Sequence, residues 1–135
     1  MKLNALIDII SERLQEPIFS EGISAAKGFL VQSDPRFGFI MKAKGRSEYH
    51  HSAMPYLEVS FKDSFMFSIS VGNENLEIQA GKFILNQDSI WLFERKKVQD
   101  GATKIPVRDI KTISITMPAQ EQLQRGRVSD FLDKL

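Results

Sequence analysis

The chain has 135 residues, of which 42% are apolar and 26% charged, with a net charge of +1 and no cysteine. That length fits one domain, residues 1–135, able to bury about two-thirds of its unfolded surface without a covalent staple. The near-neutral charge argues against a general nucleic-acid binder, and the missing cysteines exclude disulfides, thiolate metal sites and cysteine nucleophiles.

Leu3, Leu6, Ile7, Ile10 and Leu14 recur at helical spacing and place one apolar stripe on a helix over residues 1–16. Pro17 ends it, because the residue before proline disfavours helical angles. The stripe packs on a sheet, or alternatively on a partner. Asp8, Glu12 and Arg13 interrupt any signal-peptide pattern, and no run reaches the ~20 apolar residues of a membrane span. The expectation is a soluble, cytoplasmic protein with no membrane span.

From residue 28 the period changes to two. "GFLVQS" and "FGFIMKAK" read as a strand pair around the turn "SDPR". "YLEVSFK" and "FMFSISV" alternate cleanly, with a tight turn expected at Asp63 and Ser64. "NLEIQA" and "KFILN" read as two strands separated by the turn "AGK", and "SIWLFERKK" as the next. Trp91 sits in a dense apolar strand and is expected in the core or at a subunit interface. "TKIPVRD" and "IKTISITM" complete the set, with Pro106 marking an edge strand or a bulge. Pro118 suits a first helical turn, and Val128, Phe131, Leu132 and Leu135 fit a helical stripe, so 118–135 is expected to be a C-terminal helical segment. The fold class is α+β. It predicts a strongly curved, mainly antiparallel sheet or partly open barrel of about seven to nine strands over residues 28–117, with an N-terminal helix and short C-terminal helices.

The stretch "SEYHHSAMPY" holds both histidines and both tyrosines. His50 and His51 are adjacent, which does not aim both at one metal, and no third histidine exists. No metal site and no cofactor is predicted. Tyr49, His50, His51 and Tyr56 are candidates for partner contact, since loops carry binding residues and tyrosine offers both a ring and a hydroxyl. Arg95, Lys96, Lys97, Lys104, Arg108 and Lys111 form a candidate phosphate-binding stripe, or simply a solvated face. No nucleophile elbow or glycine-rich phosphate loop is present, and no catalytic residue is assigned.

Residues 83–115 resemble the strand core of bacterial pleckstrin-homology-like and GRAM-type domains. Ile90, Trp91, Leu92, Ile105, Pro106, Asp109, Ile110, Ile113 and Ile115 fill that family's pattern of an apolar–aromatic strand, basic residues, a turn and a closing strand. In that family several strands follow this segment; here the further strands lie upstream. The resemblance implies a seven-stranded bent sheet with a capping helix, used as a binding module without catalytic residues. The leading expectation is a non-enzymatic binding or regulatory module for a protein partner, with a homodimer as one arrangement. The alternatives are a phosphate- or lipid-headgroup-binding module, and a small-molecule enzyme with His50 or His51 as acid–base.

Overall fold

The computed structural model describes residues 1–30, 34–39, 56–94 and 102–118. Helix α1 (Leu3–Gln15) is followed by the single-turn α2 (Pro17–Ser20) and strand β1 (Ile23–Lys27). The rest is β2 (Tyr56–Val71), β3 (Glu74–Asn86), β4 (Ser89–Phe93), β5 (Thr103–Pro106) and β6 (Ile110–Thr116). All five strand pairings are antiparallel.

Pro17 does what its chemistry requires. It closes α1 and opens α2 at a first-turn position, where a missing N–H costs nothing. The α1 stripe is buried at Leu6, Ile7, Ile10 and Leu14. Arg13 ties the helix to the sheet: its Nε donates to the Ile115 carbonyl at 2.8 Å, and its guanidinium lies 4.9 Å from the centre of the Phe19 ring.

The sheet is organised by one long hairpin. Val71 pairs with Glu74 across a two-residue turn, and Gly72 takes φ +61 at its first position. That is where a tight hairpin turn wants glycine. β3 occupies one side of β2. On the other side β1 pairs with the first half of β2, through Glu58–Phe61, and β6 with the second half, through Met66–Val71. β4 and then β5 extend the sheet beyond β3. The six-stranded sheet thus has two lobes that share the hairpin: β1–β2–β3–β4–β5 at one end and β6–β2–β3 at the other.

The described residues form six strands, not closed into a barrel, and the expected seven to nine are not reached among them. Two expected turns lie inside continuous strands. At Asp63–Ser64 the chain does not reverse; Phe61–Ser64 bulge opposite Gly81 alone, between the pairs Ser60–Lys82 and Phe65–Ala80. A strict two-residue period would turn Asp63 inward with Phe61 and Phe65. The bulge leaves Asp63 exposed and still buries both rings, which meet edge to face at 4.8 Å. "AGK" is the matching shift in β3, with Ala80 and Phe83 both inward. The expected strand pair around "SDPR" is also absent from its described parts. Phe29 and Leu30 are helical, and Pro35–Phe37 form a 3-10 turn. Asp34 caps that turn by accepting from the Arg36 backbone N–H at 3.0 Å, and the Arg36 side chain clamps Asp34 and Asp8. The strand lies earlier, at Ile23–Lys27. Gly28 ends it with φ +127, where a Cβ would stand 2.3 Å from the Tyr56 carbonyl oxygen. Residues 119–135, including the expected C-terminal helices, lie outside the described residues.

The core is one cluster. The inner face of the sheet contributes Leu57, Val59, Phe67, Ile69, Phe83, Leu85, Ile90 and Leu92, and α1 closes over it. Each such side chain contributes about 1.5–3 kcal/mol when fully buried. No helix among the described residues is long and apolar enough to cross a membrane.

Candidate functional site

The informative surface is the outer face of the first lobe. Strand alternation puts Ile90 and Leu92 of β4 in the core, so Trp91 and Phe93 point the other way, where both are half-buried. In β3, Phe83 and Leu85 are buried while Lys82 and Ile84 face outward. The register then assembles a row across five strands: Lys27, Glu58, Ile84, Trp91 and Lys104. Lys82 lies one step along, opposite Phe93.

Charge is arranged in two ways along this row. At the β1–β2 end it is neutralised within the chain. Lys27 pairs with Glu58 at 3.1 Å, and the Tyr56 hydroxyl donates to the same carboxylate at 3.1 Å. Burial, and then the nearby Glu58 charge, push the Tyr56 phenol up to about 12. At the β3–β5 end the charge has no counterpart among the described residues. The Lys82 ammonium sits 4.4 Å from the centre of the Phe93 ring, and the Lys104 ammonium 5.2 Å from that of Trp91. Neither ammonium has a carboxylate partner among the described residues. The rings hold the two cations in place without cancelling their charge.

The basic residues read from the sequence occupy different places. Lys104 stands over Trp91. Arg108 and Lys111 line an open cleft of about 760 Å³ with Lys2 and Asp109, beside the β2–β3 turn. The Arg108 side chain is 89% exposed, and its contact with Asp109 is long, at 3.9 Å. Arg95, Lys96 and Lys97 lie outside the described residues, as do Tyr49, His50 and His51. Of the predicted contact residues only Tyr56 is placed, and it falls on the outer face described above. No cluster of three or more metal-ligating side chains occurs among the described residues.

Sequence reasoning did not single out Lys82, Ile84 or Phe93, and it read Trp91 as core or subunit interface. A signal was present. "FIL" and "IWLF" are apolar at consecutive positions, whereas "LEVSF" and "FSISV" alternate. An antiparallel sheet that alternates elsewhere and stops alternating in two adjacent strands is apolar on both faces there.

No protein-family model matches this chain, no curated protein is detectably similar to it in sequence, and no solved structure matches it.

Proposed function

We propose that this protein is a non-enzymatic binding module that contacts a protein partner through the outer face of β3, β4 and β5. The observation that carries this reading is the apolar row of Ile84, Trp91 and Phe93 on the side of the sheet away from the core, with Lys82 and Lys104 on its rings. Aromatic residues within a polar rim are the composition of interaction hot spots. A rigid sheet holds them without an ordering cost on binding. Tyr56 extends the surface toward the 44–56 stretch that the sequence marks as a contact loop. The resemblance of residues 83–115 to pleckstrin-homology-like modules supports the same class of role.

The test is affinity purification from the native host with three forms of the chain: wild type, Trp91→Ala, and Ser114→Ala on the opposite lobe. A discrete partner retained by wild type and Ser114→Ala, and lost by Trp91→Ala at unchanged melting temperature, is expected. A partner set indifferent to Trp91→Ala would overturn the reading.

A second reading has its own observation. Lys2, Arg108 and Lys111 around the 760 Å³ cleft, against the single acid Asp109, favour a phosphate or lipid headgroup there. Saturable binding of inorganic phosphate or of phosphoinositide vesicles, abolished by Arg108→Glu with Lys111→Glu, would establish it. No binding to either at near-physiological salt would remove it.

A further inference from the structure

We infer that the partner presents an acidic segment, with carboxylates on either side of an apolar residue that settles against Ile84, Trp91 and Phe93. The inference rests on the reading of this face as a docking surface and adds the chemistry of the occupant. Lys82 and Lys104 lie on β3 and β5, two strands apart and offset by two residues. With strand spacings of ~4.8 Å and a rise of ~3.3 Å per residue, their Cα atoms are roughly 12 Å apart. Trp91 and Phe93 of β4 lie between them, with Ile84 beside Lys82 on β3. Two positioned cations, without a carboxylate partner among the described residues, beside a ring surface are complementary to two carboxylates flanking an apolar side chain. Glu58, the acid in the same row, is already engaged by Lys27 and Tyr56 and so does not neutralise either cation.

A single-stranded nucleic acid is the competing polyanion, and the geometry disfavours it. Base stacking needs open ring faces. Here each ring has an ammonium on its face, at 4.4 Å for Phe93 and 5.2 Å for Trp91. The whole chain also carries a charge of only +1. A carboxylate meets the ammonium directly and leaves the rings to pack at their edges.

Selection from a random twelve-residue peptide library on the full chain tests this. Binding of the selected peptides is then read by fluorescence of Trp91, the only tryptophan. Wild type should enrich sequences with two or more Asp or Glu around an aromatic or aliphatic residue. Their binding should weaken with salt, and by at least about tenfold in Lys82→Glu with Lys104→Glu, since the loss of even one of the two charge-assisted contacts is worth about that much. Trp91-dependent binders that are neutral or basic would overturn the inference and spare the docking surface. No enrichment, or enrichment unchanged by Trp91→Ala, would overturn the surface itself. Tighter binding of oligothymidylate than of any selected peptide would transfer the face to nucleic acid. A concentration-dependent dimer lost in the double charge reversal would transfer it to a second copy of the chain.

Discussion

The two lobes share one hairpin and one core, yet their outer faces differ in kind. Where β6 pairs with β2, the outward positions are Met66, Ser68, Ser70, Thr112, Ser114 and Thr116, mostly hydroxyls, and two of these are bonded: Thr112 donates to Ser70 at 2.9 Å and Ser70 to Asn75 at 2.8 Å. Where β4 and β5 extend β3, the outward positions are Ile84, Trp91, Phe93 and two lysines. The same strand alternation produces both faces. Hydroxyls on an outer face are content in water; partly buried rings are less so. The difference separates a face that only needs to be wet from one whose apolar composition motivates the proposed docking role.

The comparison depends on the inner face being alike in both lobes, and the largest expected effect tests that. Leu6→Asp and Ile10→Asp each place an unpaired charge in a fully buried site, where both residues are 0% exposed. Each should cost at least ~4 kcal/mol in chemical denaturation and unfold both lobes together. Near wild-type melting would show that α1 does not close the core. Next comes a pair of adjacent residues on opposite faces of β3. Phe83→Ala should cost about 3–5 kcal/mol, and Ile84→Ala under ~1.5 kcal/mol. Equal costs would mean that the outer face is as buried as the inner one.

The outer faces should also differ in their response to base. The Tyr56 phenol is raised to about 12 in the folded protein, against ~10 when unfolded. A raised folded value favours the neutral form, so this contribution to stability is complete below pH ~10 and is lost as pH climbs through the folded value. In Tyr49→Phe, which leaves Tyr56 as the one tyrosine, tyrosinate absorbance should appear near pH 12; titration near 10 would mean that the phenol is neither buried nor held beside Glu58. The hydroxyl face has no such group. The smallest effect belongs there: Ser70→Ala and Thr112→Ala should change stability by no more than ~0.5 kcal/mol, since both groups are exposed and water replaces their partners. A loss above ~1 kcal/mol from either would show that the polar face is a structural network.

Much of the fold was legible in the sequence. Leu3 to Leu14 with Pro17 marked α1, and the alternation through "YLEVSF" and "FSISV" marked an antiparallel sheet with a wet face. The strand count was harder, because a bulge and a turn carry the same local signs. "KDS" and "AGK" look like reversals until long-range pairing shows that they face each other across one hairpin. "GFLVQS" is as apolar as a strand, but Gly28 already ends β1. For the site, Tyr56 was read as a contact residue and is placed on the outer face. The lysine–ring pairs were hidden because they join residues far apart in the chain, Lys82 to Phe93 and Lys104 to Trp91, and only the register of β3, β4 and β5 brings them together.

The most direct measurement compares the two faces inside the native host. A photo-reactive phenylalanine analogue is placed at Phe93 in one form of the chain and at Ser114 in another, each checked for wild-type melting. Irradiation should yield a discrete adduct of one additional protein from position 93 and none from position 114, and Lys82→Glu with Lys104→Glu should abolish the adduct. Adducts from position 114 alone, or none from 93 when the partner-bound protein is irradiated, would contradict the assignment of the ring-and-lysine face as the binding surface.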